Sequence, residues 1–298
     1  MIHCLTEPTR SSPLTSHPDF ICIGAQKAAT SWLYNALRWT PGVFLPALKE
    51  LHYFSQVHCE DAARYAPKQR RRRIDQFREF HLGKIHKNKY QKMVLRQLEH
   101  IDTETVDDDW YRGIFDFANP DDICGEICPS YMTMNMRGIR HLMSMNPLVR
   151  IIVIVRDPID RAWSHIRMLA RSEHLDININ AITAGKSPLT PYLQYTDYAT
   201  AIPRWERMAI PGRLKIISYD QVANDPYAVF DEVTEYIGLK DAKPRDDLTG
   251  SVFKGNQVKL PDALRLQLLE KLAPQYEYLE TIFPDLVPTW LERHHATS

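Results

Sequence analysis

Five short apolar runs stand out against a chain otherwise patterned for helices. They are Phe20 to Gly24, Val43 to Leu45, Ile123 to Ile127, Ile151 to Val155 and Leu214 to Tyr219. The fourth, Ile151-Ile152-Val153-Ile154-Val155, is wholly β-branched, and its unbroken apolarity predicts a central strand covered on both faces. Between the runs the spacing turns helical. Helices are predicted over Ser31 to Trp39, closed by Pro41-Gly42, then over Gly138 to Met145, Ile159 to about Leu169, and Pro226 to Ile237, with Gly238 as a stop. A last long helix begins at Pro261 and carries Leu264, Leu268, Leu269 and Leu272 on one side until Pro274 breaks or kinks it. Short β runs alternating with helices predict an α/β fold, a parallel sheet flanked by helices.

Composition narrows this picture in a few places. The 298 residues suit one large domain over 19–298, preceded by a loose tail over 1–18 that contains Pro8, Pro13 and Pro18. Lysine plus arginine equal aspartate plus glutamate at 37 each, so no global charge selects a nucleic acid or a membrane surface as partner. No apolar run reaches membrane-spanning or signal-peptide length, which points to a cytoplasmic protein. Cys4, Cys22, Cys59, Cys124 and Cys128 form no pairing or zinc pattern and are expected to be buried, reduced thiols. One stretch is anomalous. From Arg64 to Arg96 there are twelve basic residues against two acidic ones, within a helical insertion expected at about 58–105. It either draws an anionic substrate towards a nearby site or is simply a solvated face.

Candidate chemistry begins in the first predicted strand-to-helix turn, Gly24-Ala25-Gln26-Lys27-Ala28-Ala29-Thr30-Ser31. A strand ending at Gly24 and a helix starting near Thr30 aim backbone N–H groups and a positive dipole end at one point. Lys27 adds a full charge there, and Thr30 and Ser31 add hydroxyl donors. The lysine stands three residues before Thr30, unlike a Walker A loop, in which the hydroxyl directly follows the lysine. That spacing, with no magnesium-ligand set, argues against a nucleotide-dependent phosphotransferase.

A second site is expected at the end of the central strand, where open α/β sheets bind ligands. There Arg156-Asp157-Pro158-Ile159-Asp160-Arg161-Ala162-Trp163-Ser164 offers a guanidinium fork at Arg156 and a hydroxyl at Ser164 to a second phosphate. The plainer reading has these charges pairing locally to cap the helix, above all at Arg161.

Two phosphate sites suggest a nucleotide phosphorylated at both 5′ and 3′ positions, and here the chain resembles the sulfotransferases that use 3′-phosphoadenosine 5′-phosphosulfate (PAPS). Its first loop is similar to that family's 5′-phosphosulfate loop and its second segment to the 3′-phosphate motif. Lys49-Glu50-Leu51-His52-Tyr53-Phe54, Asp109-Trp110-Tyr111 and Gly125-Glu126-Ile127-Cys128-Pro129-Ser130-Tyr131 match, in order, the branch containing heparan sulfate sulfotransferase domains and bacterial relatives. Ser218-Tyr219-Asp220 and Phe253-Lys254-Gly255 resemble its C-terminal part more weakly.

The resemblance implies sulfuryl transfer from PAPS to an acceptor hydroxyl, less readily an amine, without a required metal. Lys27, Thr30 and Ser31, in a loop with Gly24, Gln26, Ala28 and Ala29, would hold the 5′-phosphosulfate. Arg156 and Ser164 would hold the 3′-phosphate, with Lys254 and Gly255 closing over it. Glu50 matches the catalytic base, and Lys27 would stabilise the leaving phosphate oxygen. His52 is the rival base: it titrates near neutrality and, in an extended segment, shares a side with Glu50. Trp32, Trp110, Tyr111, Tyr131 and Trp163 are stacking candidates that more often belong to a core. Ala28 and Ala29 stand where the family often has glycine, and Ile127 where carbohydrate-acting relatives often carry lysine. With the basic insertion, these departures argue against heparan sulfate and leave a small-molecule or carbohydrate acceptor. The non-enzymatic alternative is a nucleotide-binding protein of the same fold without turnover.

Overall fold

In the computed structural model, which describes residues 17–82, 89–171, 178–249 and 258–295, five parallel strands form one sheet. The strands are β1 (Phe20–Gly24), β2 (Val43–Phe44), β3 (Ile123–Ile127), β4 (Arg150–Val155) and β5 (Leu214–Ser218), in the spatial order β2-β3-β1-β4-β5. All five coincide with predicted runs to within a residue or two. The central position falls to β1, flanked by β3 and β4. Phe20 through Ile23 and Ile151 through Val155 are fully buried, as expected for strands covered on both faces. Each such side chain contributes roughly 1.5–3 kcal/mol of apolar burial. Gly125 is required by packing: a Cβ there would lie 2.1 Å from the Phe20 ring.

The helices are α1 (Thr30–Leu37), α2 (Tyr53–His58), α3 (Glu60–Leu82), α4 (Lys89–Ile101), α5 (Asp108–Gly113), α6 (Met136–Met145), α7 (Pro158–Ala170), α8 (Ile179–Thr183), α9 (Tyr198–Glu206), α10 (Tyr219–Asn224), α11 (Pro226–Ile237), α12 (Asp262–Glu280) and α13 (Leu286–His295). Local signals set several of the ends. Asp157 caps α7 ahead of Pro158, Ser218 and Gln221 form a capping box on α10, and Gly238 closes α11 with φ 101°. Two expectations are corrected. Pro261 is the residue before α12 rather than part of its first turn, and the helix runs through Pro274 to Glu280. Packing of α12 against α7, α9 and α13 holds it together across the proline. Among the described residues no helix is long and apolar enough to cross a membrane.

Candidate active site

The carboxyl ends of β1, β3 and β4 converge, and the loops leaving them carry the candidate residues. At β1, the approach to Gly24 is so close that a Cβ would sit 2.9 Å from Cβ of Met132. The loop then reaches α1 through Lys27 and Ala29, both in the left-handed region at φ 72° and 63°. Ala29, at the cap position of α1, makes no side-chain cap, and the first turn has no acidic residue. Among the described residues the positive end of α1 thus has no side-chain cap, an arrangement that suits an anion. Thr30 is buried at this point, while Ser31 is exposed.

The loop before α2 brings the base candidates to the same place. Glu50 donates its N–H to the carbonyl of Ile127 at 3.2 Å, and Leu51 donates its own to Glu126 Oε1 at 3.3 Å. Those two bonds wind the segment onto the end of β3. The extended conformation expected here is not found: Glu50 and His52 have φ 62° and 60°. They nevertheless face each other, with His52 Nε2 3.8 Å from Glu50 Oε2. His52 Nδ1 lies 2.9 Å from Ser130 Oγ, and its buried Nε2 has no hydrogen-bond partner. Lys27, Glu50 and His52 thus all occupy a backbone region that costs about 1–3 kcal/mol per non-glycine residue, a strain that concentrates where function over-determines the structure.

Lys49 binds the two loops to one another, a part that the sequence did not disclose. Its Nζ lies 2.5 Å from Glu50 Oε1 and 3.4 Å from Thr30 Oγ1. A second cation comes from the basic stretch. Arg73 Nη1 donates to the carbonyl of Lys49 at 2.5 Å, and its Nη2 lies 3.7 Å from Glu50 Oε2. Burial pushes the Glu50 carboxyl up, but Lys49 and Arg73 together outweigh it and hold the group below the ordinary carboxylate value. Burial pushes His52 down to about 4 against the opposing pull of Glu50, so its imidazole is neutral. Under this loop, Glu126 accepts from Tyr111 at 2.6 Å and from Tyr131 at 3.1 Å. Burial raises its carboxyl to about 7 despite those bonds.

The basic stretch divides along α3. Arg70 turns inward to the carbonyl of Leu51 at 3.2 Å and stacks on Trp110, and Arg73 follows it inward. Arg71 and Arg78 instead grip Asp102, each at 2.6 Å. Ala62, Ala66, Arg70 and Ile74 are all buried at four-residue spacing. This stripe is the signal that places Arg70 in the interior.

At the end of β4, Arg156 donates from Nη1 to the carbonyl of Lys27 at 3.1 Å, stacks on Tyr219 and keeps a buried Nε with no partner. Tyr198 fixes its backbone through both N–H and carbonyl. Lys27 is pushed below the ordinary lysine value by burial first and then by Arg156, Arg171, Arg167 and Lys49. Cations crowded this closely favour a bound anion. Ser164 is half-buried on α7, on the helical face shared with Asp160 and Arg167. Lys254 and Gly255 lie outside the described residues.

The local ion pairing expected around Arg161 is not what forms. Arg161 is fully buried and donates to Thr196 Oγ1 at 2.6 Å and the Tyr192 carbonyl at 2.7 Å. Asp157 accepts from the Ile159 and Asp160 N–H groups, from Tyr276, and from Arg293 and His294 of α13. The five stacking candidates are core residues, each at most 6% exposed. Of the four described cysteines, Cys59 is exposed, contrary to expectation.

Residues 18–243 match the model of the sulfotransferase family. The chain belongs to this family. A mouse (Mus musculus) relative, heparan sulfate glucosamine 3-O-sulfotransferase 6, is 26% identical over 136 residues, 44% of this chain and 40% of the relative. The matched segment thus spans less than half of that relative's length. A sulfotransferase from Alicyclobacillus acidocaldarius shares the fold with a TM-score of 0.65 at 22% identity, covering 92% of this chain and 98% of its own. The sulfotransferase domain from the curacin biosynthetic pathway follows at 0.52 and 11%, covering 83% and 82%. Within this sulfotransferase fold, Ile127 is buried and lends only its carbonyl to Glu50, so the positive charge beside the carboxylate comes from Lys49 and Arg73.

Proposed function

We propose that the chain transfers a sulfuryl group from PAPS to an acceptor hydroxyl, with Glu50 as general base. The observation that carries this reading is the ammonium of Lys49, shared between Glu50 and Thr30: it sets the base and the anion loop in one fixed relationship. The free end of α1, Lys27, Thr30 and Ser31 suit a 5′-phosphosulfate, and Arg156 with Ser164 suits a 3′-phosphate. Glu50 Oε1 is engaged by Lys49, and Oε2, with Arg73 and His52 at the longer distances of 3.7 and 3.8 Å, takes the acceptor's proton as the new oxygen–sulfur bond forms. The bond from sulfur to the 5′-phosphate oxygen breaks in line, and Lys27 balances the charge left on that oxygen. His52, neutral and beside Oε2, orients the acceptor hydroxyl. The absence of a disulfide pairing pattern in the sequence suits a reducing, cytoplasmic setting.

Incubation with PAPS and a panel of phenols, alcohols, sugars and peptides tests the reading through formation of adenosine 3′,5′-bisphosphate (PAP). Acceptor-dependent PAP release is expected. A protein that binds neither PAPS nor PAP contradicts it, and tight PAP binding without turnover on any acceptor favours a nucleotide-binding protein that has lost catalysis.

A further inference from the structure

The cavity on which Glu50 and His52 open has a volume of about 510 Å³, within the ~300–1,000 Å³ range of small-molecule sites. Its described lining contains no lysine or arginine. Glu50 is the only charged side chain in that lining, because His52 and His165 are both kept neutral by burial. Of the cations near Glu50, Lys49 and Arg73 face its carboxylate and Arg70 the Leu51 carbonyl, and Lys27, outside this lining, is assigned above to the nucleotide. The same lining carries three tyrosines, Tyr65, Tyr192 and Tyr195, together with Met168 and Leu169. Tyr65 and Tyr195 hydrogen-bond to each other, and His52 and His165 meet them edge-on at 5.6 and 5.7 Å.

We propose, on the basis of the function proposed above, that this cavity takes an uncharged, largely apolar acceptor whose single hydroxyl is carried on a flat aromatic body. A ring set against the tyrosines buries apolar surface and gains offset or edge contacts with other rings. Its hydroxyl then reaches Glu50 and His52, which line the same cavity beside Gln26 and Ser130. An anionic acceptor would bury its charge beside the Glu50 carboxylate with no free counter-charge in the lining, which disfavours it strongly.

The test is equilibrium binding of 2-naphthol and 3-hydroxy-2-naphthoate, a pair differing by one carboxylate, to the protein saturated with PAP. At least tenfold tighter binding of 2-naphthol is expected. Equal or tighter binding of the naphthoate, or no binding of 2-naphthol at millimolar concentration, overturns the proposal. Gln69 lies on the exposed rim of the same cavity, so Gln69→Arg puts a cation there without disturbing the core. That variant should move the preference towards the naphthoate by tenfold or more; an unchanged ratio places the probes elsewhere and also overturns the proposal. If PAP does not bind, it is the sulfuryl-transfer reading that fails, and the same two titrations on the free protein still decide the character of the cavity.

Discussion

Arg156 donates from Nη1 to the backbone carbonyl of Lys27, 3.1 Å away, joining residues that lie 129 positions apart in the chain. The bond ties the end of β4 to the loop after β1, and so holds together the two places proposed above for the 5′- and 3′-phosphate groups.

Arg156→Ala should therefore weaken PAP binding by about 10- to 100-fold, the worth of one or more hydrogen bonds to a charged group. Arg156→Lys should recover only part of it, since lysine cannot both reach the Lys27 carbonyl and present a fork over Tyr219. Calorimetric titration with PAP reads both; full affinity in the alanine variant would remove Arg156 from the site.

The carboxyl of Glu50 is held below its ordinary value by Lys49 and Arg73 against burial. Its ionised form therefore persists to lower pH than a lone carboxylate would allow. Removing the charge in Arg73→Met should move the acid limb of the kcat/KM profile to higher pH, while Arg73→Lys should leave it nearly in place. Loss of activity with an unmoved limb would reduce Arg73 to a support for the Lys49 carbonyl.

Burial raises the Glu126 carboxyl to about 7 in the folded protein, against ~4.3 unfolded. A raised folded value gives stability that is full below the unfolded value and lost as pH rises through about 7. Glu126→Gln cannot lose a proton, so between pH 5 and pH 8 its unfolding free energy relative to wild type should improve by on the order of 2–3 kcal/mol. Urea denaturation at the two pH values measures this; a constant difference would show that Glu126 is ionised throughout.

Ala29 pays for its φ of 63° with steric strain that glycine does not suffer. Ala29→Gly should raise stability by about 0.5–1 kcal/mol, the relieved strain less the greater freedom of the unfolded chain, with PAP affinity kept. Thermal unfolding with and without PAP checks both halves, and a destabilised variant would mean that the alanine methyl packs usefully.

The sheet was legible because β4 and its partners are built from uninterrupted apolar runs, and no tertiary contact is needed to recognise those. Lys27 and Arg156 could be proposed from the sequence because each follows such a run with helix-starting chemistry behind it, whereas Glu50 is proposed from the resemblance of its motif. What stayed hidden depends on contacts between distant positions. His294 reaches Asp157 across 137 residues, and nothing local to α13 announces it. Arg73 looked like one basic residue among twelve, although the buried stripe of Ala62, Ala66 and Ile74 marks the side of α3 from which it reaches the Lys49 carbonyl. Lys49 stands directly before Glu50 in the chain, but a lysine's long side chain gives no hint of the two oxygens it will bridge. At Pro274 α12 is not broken, because packing along the helix outweighs the local cost of proline.

The central claim is that one ionised carboxylate, Glu50, takes the proton while a separate set of cations holds the nucleotide. The most direct measurement is the rate of PAP formation by Glu50→Gln at saturating PAPS and acceptor, with PAP affinity determined on the same preparation. The predicted result is turnover reduced by about 10²–10⁴-fold with PAP affinity within a few-fold of wild type. Near wild-type turnover in Glu50→Gln would contradict the claim and move the proton to His52.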